Sequence, residues 1–220
     1  MCQGIMKKII SASRRTDLVA FFPEWLASAI SREEAKVFGP SGYTYRVDLS
    51  PQNVHTVVLW SKNFTNLIDN KYGLRAKFRK YDQLYLHFTI TGLGGSFIEQ
   101  GVHHPDVALL QLDSLIEIVG VPRRVSVRFD PVIYWKEGDK ERTNLHYFEE
   151  IAPILQEKGI QDIRFSFTQW YSKAKRRASK EGFDYVDPPL EKIRQKECYG
   201  YGQPLPPQHS LDVLQIDVKC

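Results

Sequence analysis

Strand-length apolar runs alternate along this chain with segments of helical spacing, the signature of repeated βα units. The first run is 7–13, and after it comes 22–30, where Phe22, Trp25, Leu26, Ala29 and Ile30 share one helical face and Pro23 suits a first turn. The stretch 36–49, broken by Gly39, Pro40 and Gly42, predicts a strand and a turn. A strand over 55–61 and a short helix over 64–72 follow. A longer strand, 83–91, then runs into a loop holding Gly92, Gly94 and Gly95. Beyond it the pattern predicts helix 105–119, strand 124–129, helix 144–158, strand 162–167 and helix 170–180. Residues 199–207, rich in Gly and Pro, read as irregular.

Three of these strands alternate where buried parallel strands usually read as continuous apolar runs. In 83–91, Leu84, Leu86, Phe88 and Ile90 oppose Gln83, Tyr85, His87, Thr89 and Thr91. In the same way Val125, Val127 and Phe129 oppose Arg124, Ser126, Arg128 and Asp130, and Ile163, Phe165 and Phe167 oppose Arg164, Ser166 and Thr168. If helices cover the apolar face, the polar faces line one shared hollow. The expected fold is α/β: a partial TIM-barrel-like (β/α)6 domain with helices outside a mostly parallel sheet. A one-sided antiparallel sheet gives the same alternation, but helices between the strands favour the parallel arrangement. The expected organisation is one domain over 1–197 and an irregular tail over 198–220.

A hydrophobic fraction of 42% across 220 residues supplies enough core for one such domain. No apolar run is long enough to span a bilayer and the start lacks a signal-peptide core, so a cytoplasmic protein with no membrane partner is expected. Cys2, Cys198 and Cys220 are too far apart in sequence for a disulfide framework or a cysteine metal motif. Six histidines form no H-x-x-x-H pattern, so no metal ligand is assigned, and His103 and His104 read as helix-start residues. The net charge of +4 admits an anionic partner.

Polar residues gather where strands end, which is where barrel enzymes place their sites. Arg14 and Arg15 offer planar forks for a carboxylate or phosphate, and Asp17 could orient one of them. Lys62 and Asn63 could donate to an anion, with Thr89 and Ser166 at neighbouring strand ends. Arg128 and Asp130, two apart, share a strand face and read as a charge pair, because a buried arginine needs a partner. Asp17 or Asp130 could instead serve as the base of a cofactor-free enzyme. The glycine loop lacks G-x-G-x-x-G spacing and reads as a turn, and no G-x-S-x-G or P-loop is present. Helix 170–180 sets Lys173, Lys175, Arg176 and Arg177 beside Trp170 and Tyr171, a mixture that suits either a solvated face or a nucleic-acid-binding module.

The stretches SASRRTD (11–17), SPQNVHTVVLWSKN (50–63), HFTITG (87–92), SVRFDP (126–131) and FSFTQWYSKAKRR (165–177) resemble domain-of-unknown-function family 1848. Members of that family are similar to radical-SAM proteins and to DNA repair photolyases of the spore photoproduct lyase type. The resemblance implies a TIM-barrel-like fold, S-adenosylmethionine, and an iron–sulfur cluster on a cysteine cluster near the C-terminus. This sequence ends before such a cluster, so it is expected either to be truncated there or to bind none. The expected function is a radical-SAM-like barrel of unknown substrate that takes an anionic small molecule at its strand ends, the alternative being the nucleic-acid-binding module.

Overall fold

The computed structural model describes residues 6–13, 16–39, 42–168 and 172–187, and the backbone of 213–216. The main sheet has six strands: β1 (Lys8–Ala12), β4 (Val54–Ser61), β5 (Gln83–Thr89), β6 (Val125–Val132), β9 (Asp162–Phe167) and β11 (Val213–Ile216). Their order is β11-β1-β4-β5-β6-β9, and every pair is parallel. From β1 to β9 the strands follow chain order, and β11 returns beside β1. The edges formed by β9 and β11 are not paired, so the described strands form an open sheet. The α/β class holds; closure into a barrel is not a feature of these strands.

Crossover helices explain the parallel order, since each parallel connection must return the chain to the start of the next strand. After β1 come α1 (Leu18–Phe21) and α2 (Pro23–Arg32), the latter opened by Pro23 and closed by Glu33 in the left-handed region. A hairpin of β2 (Glu34–Phe38) and β3 (Thr44–Asp48) resolves the ambiguous 36–49 stretch. The helix expected over 64–72 is shorter: α3 (Thr65–Ile68) ends where Asn70, Tyr72 and Gly73 all adopt positive φ, and α4 (Leu74–Phe78) follows. Helix α5 (Pro105–Val119) has the expected bounds, capped by the His104 ring at one end and left-handed Gly120 at the other. Helix α6 (Leu145–Glu157) precedes β9, and α7 (Ser172–Lys180) follows it.

Alternation decides the two faces of the sheet. Ile10, Val57, Leu59, Leu86, Phe88, Val127 and Phe129 are buried in one core with Leu26, Ile30, Leu67, Leu112, Leu115, Ile151 and Leu155 from the helices. Phe88 meets Phe64 edge-on at 5.4 Å, and Phe129 meets Phe148 of α6 at 5.5 Å. Polar residues on the opposite face bond across strands instead: Trp60 Nε1 donates to Ser11 Oγ at 3.0 Å, and the Tyr85 hydroxyl to Asp162 Oδ2 at 3.0 Å. Burial, aided by Asp162, raises the Tyr85 phenol to about 12.

A smaller unit sits beyond the C-terminal ends of β5 and β6. Strands β7 (Tyr134–Glu137) and β8 (Lys140–Thr143) form a hairpin to which β10 (Asp184–Val186) adds in the order β10-β7-β8, all antiparallel. Its own core is Leu93, Ile133, Trp135, Ala178 and Phe183. The sequence reading assigned nothing to 134–143, because four-residue strands made largely of charged residues carry too little apolar period to register. Within the stretch expected to be irregular, β11 is likewise a strand. No helix among the described residues is long and apolar enough to cross a membrane.

Candidate functional site

At the strand C-terminal ends lies a cavity of about 440 Å³. Its wall includes Ser13 after β1, Trp60 to Asn63 at the end of β4, Thr89 on β5, Arg128 on β6, and Asp17, Phe21 and Val102 from the loops and α1. Five of the nine residues expected to bind a ligand, Asp17, Lys62, Asn63, Thr89 and Arg128, therefore share one hollow. Asp130 and Ser166 join it through Arg128. Arg14 and Arg15 lie outside the described residues.

Asp17 joins two segments of the site. Its Oδ1 caps α1 by accepting from Ala20 N at 2.9 Å, and its Oδ2 accepts from Ser61 Oγ at 2.7 Å and Lys62 N at 3.0 Å. The carboxylate thus pins the end of β4 to the turn after β1. Burial pushes its carboxyl above the ordinary range, although these donors oppose the shift. With both oxygens engaged, Asp17 serves as an anchor.

Asn63 also works inward. Its Oδ1 accepts from Thr65 N at 3.0 Å, Thr65 Oγ1 at 2.6 Å and Gln111 Nε2 at 3.2 Å, while Gln111 Oε1 accepts from Phe64 N at 2.8 Å. It fixes the start of α3 against α5 through its carbonyl oxygen, which leaves the amide nitrogen Nδ2 as the group that can donate.

Among the described residues Lys62 and Arg128 are the cations on the cavity wall, and both hold a carboxylate. Lys62 is ion-paired with Glu99, whose other oxygen accepts from Thr91 Oγ1 at 2.8 Å. Glu99 is a residue that sequence reasoning missed: it lies in a loop without periodicity, 37 residues from its partner. Arg128 is ion-paired with Asp130, as its position on the same strand face predicted, and Asp130 accepts a further bond from Ser166 Oγ. The Arg128 guanidinium carbon stands 4.5 Å from the Trp60 ring centre, and His87 stacks on that ring at 4.0 Å. The Lys62 ammonium has three protons and gives one to Glu99, so it can still donate into the cavity.

Ser13 adds an unusual feature. It lines the cavity with φ of 74°, and its buried hydroxyl has no hydrogen-bond partner among the described residues. An unmade bond of that kind costs about 1–3 kcal/mol, and a ligand atom would remove the cost.

The glycine loop is shaped by close packing as well as by its turn. A side chain at Gly92, where φ is +76°, would meet the Tyr147 ring at 2.5 Å, and one at Gly94 would meet the His103 carbonyl oxygen at 1.9 Å. Buried Asn144 ties this loop to the end of β6, donating to Thr91 O at 2.8 Å and Pro131 O at 3.0 Å and accepting from Ile133 N at 2.8 Å.

Helix α7 stands apart from this cavity. Lys173, Lys175, Arg176 and Arg177 are exposed on it, with Lys180 beyond them, and none has an acidic partner among the described residues. Like charges four apart, Lys173 with Arg177 and Arg176 with Lys180, weaken a helix by about 0.2–0.5 kcal/mol each. Trp170 and Tyr171 lie outside the described residues.

All three cysteines also lie outside the described residues, among which no group of three His, Cys, Asp or Glu side chains could hold a metal ion. The described residues therefore do not fit an iron–sulfur cluster, which needs thiolate ligands.

A family whose description reads "Domain of unknown function (DUF1848)" matches the chain over residues 9–204. No curated protein and no solved structure matches it.

Proposed function

The chain belongs to the DUF1848 family, and from that premise we propose that it binds a small anionic molecule in the cavity at the strand C-terminal ends. One observation carries this reading: side chains from the ends of β1, β4, β5 and β6 line a single hollow of about 440 Å³. Ligands of parallel α/β sheets sit at this end, because loops from separate strands can place unlike groups around one small volume. Lys62 is the group that meets the anion, with protons left over after its bond to Glu99. Ser13 and Thr89 offer hydroxyls beside it, and exposed Phe21 lines the wall.

S-adenosylmethionine, implied by the resemblance to radical-SAM proteins, carries a carboxylate of the class that Lys62 could take. No step is assigned to an iron–sulfur cluster, because the described residues supply no ligand for one. Thermal unfolding with inorganic phosphate, acetate and S-adenosylmethionine tests the reading. A probe present at 100 times its Kd stabilises by about 2.7 kcal/mol. At least one should raise Tm in the wild type and lose that effect in Lys62→Gln; no shift with any probe, or a shift that survives Lys62→Gln, overturns it.

A second reading, a nucleic-acid surface on α7, is favoured by the five cations of that helix that lack acidic partners. Such a surface binds with strong salt dependence. The binding should disappear when Lys173, Arg176 and Arg177 are replaced by alanine, and its survival in that variant would count against the reading.

A further inference from the structure

A second cavity of about 710 Å³ is lined by Lys173, Arg177 and Lys180 of α7 together with Phe97, Phe183 and Tyr185. The three cations recur at four and three residues and so form one row on a helix about 13 Å long. On the same cavity wall Phe97 is 45% exposed, a large value for a phenylalanine, and its ring is braced edge-on by buried Phe183 at 4.9 Å. Phe183 is braced in turn by Tyr185 at 5.1 Å. Glu181 is the one carboxylate on this cavity wall among the described residues.

We infer that this groove is a slot for an unpaired nucleic-acid strand, whose phosphates lie along the Lys173, Arg177 and Lys180 row while a base stacks on Phe97. The inference rests on the nucleic-acid reading of α7 and narrows it to one kind of strand. Cations alone fit any polyanion. A braced, exposed aromatic ring in the same cavity fits a partner that carries flat apolar faces beside its charges. In a duplex those faces are stacked inside, so Phe97 would have nothing to meet; an acidic peptide or a lipid headgroup supplies the charge without the flat face.

The same loop divides this slot from the strand-end cavity. Phe97, Ile98 and Gln100 line the slot, whereas Gly101 and Val102 line the other cavity and Glu99 holds Lys62. A strand seated on Phe97 therefore lies against the wall of the first cavity.

Fluorescence anisotropy of a short labelled oligothymidine strand tests this, with a duplex of mixed sequence and poly-glutamate as competitors. The single strand should bind more tightly than either competitor. Three phosphate contacts give a slope of log affinity against log salt near about −2. Phe97→Ala should weaken single-strand binding about tenfold and leave duplex binding unchanged, while Phe97→Trp should strengthen it. Because Phe97 is half exposed, both variants should keep the wild-type circular dichroism. If the strand binds but duplex or poly-glutamate competes equally and Phe97→Ala changes nothing, the slot is wrong and the basic surface of α7 stands. If no nucleic acid binds, or Lys173→Ala with Arg177→Ala binds as wild type does, both fail.

Discussion

Arg128 on β6 holds its guanidinium carbon 4.5 Å from the ring centre of Trp60 on β4, so the two side chains meet across the intervening β5. The contact is possible because both residues occupy polar-face positions near the ends of their strands. Register sets Trp60 opposite His87 and Thr89 opposite Arg128. Asp130, fixed by Ser166, keeps the arginine in this place.

Removing that anchor should cost stability. Asp130→Asn leaves Arg128 with its charge and without its carboxylate; about 1–2 kcal/mol should be lost in urea denaturation. That is less than the 3–5 of a fully buried pair, because about a quarter of each side chain is exposed. The same change should tighten phosphate binding, since a carboxylate no longer competes for the cavity's cations. Unchanged stability together with weaker phosphate binding would contradict this account of the pair.

Glu99→Gln should free Lys62 and loosen the loop that separates the two cavities. Both side chains are partly exposed, so the loss is about 1 kcal/mol or less. Hydrogen exchange is the sharper readout: amides over 93–102 should exchange faster than in the wild type, with β4 and β5 unaffected.

Asn144→Ala should be the most damaging of these substitutions. Three hydrogen bonds disappear at a residue that is 2% exposed, leaving Ile133 N–H and two carbonyls unsatisfied. About 2–4 kcal/mol should be lost, measured as a drop in the denaturation midpoint at constant slope.

Alkaline pH should destabilise the fold through three tyrosines. Burial first, and then nearby carboxylates, raises Tyr81, Tyr85 and Tyr147 from 10 to about 12. A raised value in the folded state means that the neutral phenols favour folding. Their contribution is complete below pH 10 and is lost as pH climbs towards 12. Phenolate absorbance should show late-titrating groups, these three and Tyr185 among them, whose ionisation accompanies unfolding, and Tyr85→Phe should leave one fewer.

The sequence by itself determined the layers. Leucine, valine and phenylalanine on one side of 83–91, 124–129 and 162–167, with helical stripes between, could be satisfied in few ways other than helices packed on one face of a parallel sheet. It also brought Lys62, Thr89 and Arg128 to strand ends, because period-two alternation and strand boundaries are local properties of the chain. The Arg128–Asp130 pair was legible as well from its spacing of two on one strand face, but tertiary structure alone decided the other contacts of these residues. The bond from Lys62 to Glu99, the use of Asp17 and Asn63 as anchors, and the sharing of one cavity by Phe97 and α7 depend on loops whose conformation is set by distant contacts. Such loops carry no repeating apolar signal, so no period in the sequence could report them. The hairpin at 134–143 and the edge strand at 213–216 escaped for the same reason: short strands take their stability from the partners they pair with, not from their own pattern.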